Sequence, residues 1–187
     1  MLVGYWKANG NNFILFDEGK MRINFSDIYE SWTYNETSKI LATTAIVGKV
    51  NLQWEITLIS ENKWTGIGLW NATASTTVAE FGDNSFLAQI FLSNTNWVNV
   101  DNSNKKVYIE KVTSSKITFS GSASPDGRVT HTDFNSTATY DKSLDMLTIL
   151  HKQGKQIKVQ HPFSLDKCRM ILDGYNYIEN GTYKMVY

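Results

Sequence analysis

The chain has 187 residues, 42% of them hydrophobic and 13% aromatic, and its 18 basic and 18 acidic side chains leave a formal net charge of zero. That composition sustains a packed core and excludes a chain that is mainly disordered. The absence of clustered Lys and Arg excludes the basic surface that non-specific nucleic-acid binding demands, since even the densest basic stretch, His151 to Lys158, holds only three lysines.

Length and the lack of any linker-like segment predict one domain over residues 1–187. Cys168 is the single cysteine, so no intramolecular disulfide can form, and a reducing, cytoplasmic compartment is expected. Asn-X-Ser/Thr sequons begin at Asn24, Asn35, Asn71, Asn135 and Asn180; they keep an extracellular location open as the alternative. No apolar run approaches the ~20 residues of a bilayer-spanning helix, so no membrane span is expected.

In chain order, Phe13 to Phe16 and the alternating Met21, Ile23 and Phe25 flank Asp17-Glu18-Gly19 and predict a first hairpin. Ser26 to Ser38 carries Tyr29, Trp32 and Tyr34 among polar residues and reads as a long aromatic-bearing loop. The β-branched run Ile40 to Val47 leads through Gly48-Lys49 to the most strongly patterned stretch, Trp54 to Trp70. There Trp54, Ile56 and Leu58 alternate with polar residues, and Ser60 to Lys63 supplies a turn. Gly66 and Gly68 then interleave with Ile67 and Leu69. A glycine inside a strand marks a bulge or a close approach of some group to the backbone, here one of the large rings nearby.

Asn71 to Thr77 has the composition of a surface loop, and Phe81 to Asn84 that of a turn. Phe86 to Leu92 is apolar on both faces except at Gln89 and predicts a strand covered on both sides. Asn94 to Asn104 reads as an edge strand or protruding loop. Val107 with Ile109, and Ile117 with Phe119, mark two further strands, and Pro125-Asp126-Gly127 is strong turn chemistry ahead of a strand near Val129. Thr137 to Tyr140, Met146 to Leu150, Ile157 with Val159, Cys168 to Leu172, and Tyr183 to Tyr187 complete a series of short antiparallel strands. No window of ten residues holds a 3.6-residue period. Many short strands with turns every ten residues or so predict an all-β fold, an antiparallel β-sandwich of jelly-roll or lectin-like form.

Gly48-Lys49 leading into Trp54-Glu55-Ile56-Thr57-Leu58, followed by Trp64 and Ile67-Gly68-Leu69, resembles the SPRY domain. In the second half, Thr139-Tyr140-Asp141-Lys142, the strand Met146 to Leu150, Gln153-Gly154-Lys155 and Pro162-Phe163 are similar to that family's later signature. The resemblance spans residues 13–187. It implies a β-sandwich that binds a partner protein or short peptide through its loops. A second resemblance competes: Trp64-Thr65-Gly66-Ile67-Gly68-Leu69, Asp83, Asp126-Gly127 and Asp141 to Asp145 also look like the DOMON domain, which implies an extracellular sandwich binding haem or sugar.

Catalysis finds no motif. No strand carries the two inward carboxylates a glycosidase needs, and Asp141 and Asp145 sit in or beside a turn. His131, His151 and His161 lack metal-ligand spacing, and Cys168 falls within a strand pattern as a core thiol. No catalytic residue, metal or cofactor is therefore assigned. Trp32, Tyr34, Trp70, Asn71, Trp97 and Asn99 are aromatic and amide residues in predicted loops or at strand ends, the types that dominate recognition surfaces. They are the expected ligand-binding residues of a non-catalytic interaction module whose partner is a protein or peptide. A glycan, which stacks on rings and bonds to amides, is the alternative ligand.

Overall fold

The computed structural model describes residues 2–26, 30–47, 50–70, 73–82, 84–124, 130–151, 154–175 and 178–187. The expected turns at Gly48-Lys49 and Pro125-Asp126-Gly127, together with Tyr29, Asn71, Asp83, Val129 and Gln153, lie outside the described residues.

The chain is all-β, but it is not a sandwich. It divides into two compact units, Met1–Gly82 and Asp83–Tyr187, where one core was expected. The first comprises β1 (Gly4–Ala8), β2 (Asn11–Leu15), β3 (Lys20–Ile23), β4 (Glu30–Asn35), β5 (Ile40–Val47), β6 (Val50–Ile59), β7 (Lys63–Trp70) and β8 (Thr73–Phe81). Each strand pairs antiparallel with the next, and β1 returns to β8 through Trp6 opposite Phe81 and Lys7 opposite Glu80, which closes a barrel. The second unit comprises α1 (Asn84–Leu92), β9 (Thr95–Asn99), β10 (Lys106–Val112), β11 (Lys116–Ser120), β12 (Thr130–Asp141), β13 (Met146–His151), β14 (Gln156–Gln160), β15 (Arg169–Leu172) and β16 (Gly181–Val186). Here Trp97 of β9 faces Val107 of β10 on one side and Met185 of β16 on the other, and this ring is closed too. A sandwich and a barrel demand the same alternation of inward apolar and outward polar residues. Only the pairing of first strand with last separates them.

Local chemistry explains the hairpins. Asn9 and Gly10, with φ of 50° and 77°, form the two-residue loop between β1 and β2, an Asn-Gly turn whose twist matches that of the flanking strands. Between β4 and β5 the Asn35 Oδ1 accepts the backbone N–H groups of Thr37 and Ser38, both at 2.9 Å, and Lys39 closes the turn at a φ of 59°. Between β12 and β13, Asp141 Oδ1 accepts from the N–H groups of Ser143 and Leu144 at 2.9 and 3.2 Å, and Asp145 closes the turn at 46°. The central hairpin expected from Trp54 to Trp70 is β6 and β7, with a bulge between Ile56 and Leu58. A Cβ on Gly66 would lie 3.0 Å from the Glu55 carbonyl oxygen and 3.3 Å from Trp54 Cβ. The crowding at that glycine thus comes first from the Glu55 backbone, then from the Ile56 side chain and the Trp54 Cβ, where one of the neighbouring rings was expected.

Four further expectations are corrected. The supposed loop Ser26 to Ser38 contains β4, in which Trp32 and Tyr34 alternate with Ser31, Thr33 and Asn35. The supposed surface loop Asn71 to Thr77 runs into β8 from Thr73. The apolar run Phe86 to Leu92 is helical, not a covered strand. Leu87, Ala88, Ile90, Phe91 and Leu92 are buried while Phe86 is exposed. An apolar run of this length suits a buried helix as well as a strand, because periodicity does not separate the two. The segment Asn94 to Asn104 holds β9, which pairs on both sides and is not an edge.

Candidate functional site

The interiors of the two rings are built differently. In the first, Trp6, Trp54 and Trp64 meet edge to face: Trp64 has ring centroids 6.5 Å from Trp6 and 5.9 Å from Trp54, and Phe81 stands 5.7 Å from Trp6. These rings fill one end. Toward the end where β1 turns into β2, the inward positions carry smaller groups, Ala8 on β1, Thr43 on β5 and Thr77 on β8.

A cavity of about 320 Å³ results, with the aromatic cluster as its floor. Its walls are Phe13 and Leu15 of β2, Met21 and Ile23 of β3, Leu41 and Thr43 of β5, and Leu52 and Trp54 of β6. Trp64 and Thr77 complete the ring, and the exposed Asn9 and Asn11 stand at the rim. The described lining contains no charged side chain and no imidazole, thiol or carboxylate.

The polar groups are few and mostly satisfied. Thr43 Oγ1 donates to the Leu52 carbonyl at 3.4 Å. Thr77 Oγ1 accepts the Trp54 indole N–H at 3.1 Å and the Asn9 side-chain N–H at 3.4 Å. The rim is braced by amides: Asn24 Nδ2 donates to Asn11 Oδ1 at 3.2 Å, Asn24 Oδ1 accepts the Asn12 N–H at 2.9 Å, and Tyr5 donates to Asn12 Oδ1 at 2.7 Å. Trp64 Nε1 is buried with no hydrogen-bond partner.

The residues expected to bind a partner are divided between the two units. Trp32 and Tyr34 are inner-face residues of β4 packed against the first core. The Trp32 indole donates to the Phe16 carbonyl at 2.9 Å, and the Tyr34 hydroxyl is buried without a partner. Tyr34 also borders a smaller depression of about 220 Å³, with Glu36, Lys39, Ile56, Thr57 and Ile59. Trp70 is the last residue of β7, and Asn71 lies outside the described residues. In the second ring Trp97 is only 1% exposed, with its N–H donated to Thr95 Oγ1 at 2.8 Å. Asn99 is buried, and its Oδ1 accepts the backbone N–H groups of Asp101 and Asn102 at 2.9 and 3.0 Å.

A void of about 380 Å³ in the second unit lies along Lys155, Gln156, Lys158, Ile171 and Asp173, exposed or half-buried residues of its surface. Val107, Ile109, Ile117, Phe119, Leu147 and Ile149 fill its interior, each at most 2% exposed. The helix packs against β10 and β12 with Phe91 edge-on to Trp97 at 6.4 Å. Several of its titratable groups are tied into surface structure. Tyr140 donates to Asp145 Oδ1 at 2.8 Å and His161 Nδ1 lies 2.9 Å from Asp145 Oδ2. Burial, then the bond to Asp145, pushes the Tyr140 phenol well above its ordinary value. Burial pushes Tyr175 up to about 12 and also raises Tyr183. The Ser143 hydroxyl, with backbone N–H groups, holds the exposed Asp141 below the usual carboxylate range. Among the described residues no three His, Cys, Asp or Glu side chains gather as metal ligands, and no helix is long and apolar enough to cross a membrane.

Comparison with family models, with curated proteins and with solved structures finds no match. The site therefore rests on its own geometry. Sequence reasoning missed the cavity residues because Thr43 looks like ordinary strand sequence, Leu52 falls between the expected turn and the central hairpin, and Thr77 ends a segment with the composition of a surface loop. The available signal was the interior spacing of small residues on β7 and β8, Gly66, Gly68, Thr77 and Ala79, opposite the large indoles.

Proposed function

We propose that the chain binds one small, uncharged, largely apolar molecule inside the first barrel. The observation that carries this reading is the cavity of about 320 Å³ with apolar walls, an aromatic floor and a rim of exposed amides. Its size falls at the lower edge of ligand pockets, roughly 300–1,000 Å³, and apolar walls with a few placed polar groups are their usual composition. By analogy of architecture alone, a closed barrel of about eight strands has an interior that is either filled by side chains or just able to hold one small ligand. Burial of an ion against this lining would cost several kcal/mol without a counter-charge, which favours a neutral ligand.

We place this reading ahead of the docked protein or peptide because Trp97 and Asn99 are buried and the Trp32 indole N–H is already bonded. It stands ahead of a glycan because a sugar would leave most of its hydroxyls unpaired against these walls. Haem is disfavoured by a described lining that offers Met21 but no imidazole. The described lining also offers no carboxylate, imidazole or thiol to start chemistry, which supports binding over catalysis.

The test is a titration with an uncharged naphthylamine fluorophore whose emission rises in apolar surroundings. Saturable one-site binding is expected, with quenching of tryptophan emission from Trp54 and Trp64, and it is lost in Ala8→Trp, which plugs the rim. Binding that does not saturate, or that persists unchanged in a folded Ala8→Trp protein, overturns the proposal.

A further inference from the structure

We infer that the ligand of this cavity carries a hydrogen-bond acceptor, of which a carbonyl oxygen is the representative, and that the Thr77 hydroxyl is the group that reads it. The inference rests on the reading of the first barrel as a ligand site and goes on to name the chemistry of the molecule.

A threonine hydroxyl has one proton to donate and two lone pairs to accept with. At Thr77 both lone pairs are in use, one by the Trp54 indole N–H at 3.1 Å and one by the Asn9 amide N–H at 3.4 Å. Neither neighbour uses the hydroxyl proton, and no acceptor meets it among the described residues. The Trp54 indole can only donate, and the Asn9 amide turns its N–H group toward Thr77, so neither contact takes up the hydroxyl proton. Thr77 is 1% exposed and lines the cavity.

A buried donor without an acceptor is costly, and such groups mark places where a partner belongs. The same sign recurs at the floor, where Trp64 Nε1 is buried without a partner. Both unspent groups on the cavity wall are donors. A ligand that only accepts satisfies them, one that only donates does not, and a charged one meets no counter-ion.

The distinction is measurable with two probes of one skeleton, 1-phenylbutan-1-one and butylbenzene, displacing the fluorophore from the intact chain. Thr77→Val is expected to weaken the ketone roughly five- to tenfold, the net value of one hydrogen bond, and to leave butylbenzene within about twofold. Thr77→Ser, which keeps the hydroxyl, restores the ketone. The carbonyl stretch of bound ketone, read by infrared difference spectroscopy, lies at lower frequency in the native chain than in Thr77→Val. Equal loss of both probes in Thr77→Val, or a carbonyl stretch that is the same in both proteins, overturns the role of Thr77 while leaving the cavity a binding site. Failure of both probes to bind the native chain overturns the role of Thr77 together with the site itself.

Discussion

Two barrels of the same meander order share one chain, and the first holds an interior cavity where the described interior of the second is lined by closely buried side chains. Both put a tryptophan on the first strand, Trp6 opposite Phe13 and Trp97 opposite Val107. Both turn their fourth strand into their fifth through an Asx-capped loop that follows a tyrosine, Tyr34-Asn35 in one and Tyr140-Asp141 in the other. The difference lies in where the volume goes. The first barrel spends it on indoles at one end, with Thr43 and Thr77 beyond them. In the second, Ile149 and Ile157 face one another across the equivalent hairpin, mid-sized side chains are spread along the ring, and Phe91 of the helix packs against Trp97. Thus a void in a barrel is decided by the distribution of bulk along its axis more than by strand count.

The comparison can be broken most directly by exchanging the residues that make it. Ile149→Thr removes apolar volume from a filled interior and buries a hydroxyl there, at an expected cost of about 2–3 kcal/mol in denaturant unfolding. The reciprocal Thr43→Ile puts volume into the existing void, so stability should change by less than about 1 kcal/mol. Fluorophore affinity should nonetheless fall by more than about tenfold, because the substitution occupies the ligand's space. Equal destabilisation by the two exchanges would show that the first barrel has no room at Thr43. Next in size is Gly66→Ala, whose Cβ would press on the Glu55 carbonyl at 3.0 Å. It should cost about 1–3 kcal/mol, and hydrogen exchange should show the loss in β6 and β7 while β13 and β14 keep their protection. Protection unchanged throughout would mean that the hairpin relaxes around the methyl group.

The smallest expected effect is alkaline. The tyrosines raised by burial, Tyr140, Tyr175 and Tyr183, all belong to the second unit. Their unfolded forms ionise near pH 10, whereas folded Tyr175 holds its proton until about 12. Between those values the unfolded state has bound fewer protons than the folded one, so stability is full below pH 10 and falls as the pH rises toward 12. Amides of β12 to β16 should lose protection over that window before those of β1 to β8. Simultaneous loss in both units would refute a local tyrosine origin. In the same experiment Tyr175→Phe should flatten the dependence.

Much of the strand inventory was legible because its signals are local. The alternation in Trp54 to Leu58, the turn at Ser60 to Lys63 and the need for glycine at residue 66 all act within one hairpin. Trp32-Thr33-Tyr34 carried a period of two as well, but polar neighbours disguised it. The helix was hidden because Phe86 to Leu92 is apolar nearly all round, so neither period stands out. Of the expected recognition residues, Trp97 and Asn99 proved to be internal. An indole or an amide has the same composition whether it faces a partner or bonds its own backbone.

By itself the sequence determined an all-β chain, most of its hairpins and the burial of Cys168, because alternation and turn chemistry operate over a few residues. The tertiary structure alone decided that there are two units, that each sheet closes on itself and that the first encloses a cavity. Closure depends on Trp6 meeting Phe81, and Trp97 meeting Met185, across the whole length of each unit. The cavity is what remains when side-chain volumes from β1, β2, β3, β5, β6, β7 and β8 are set against the space their ring encloses, a sum that no local pattern records.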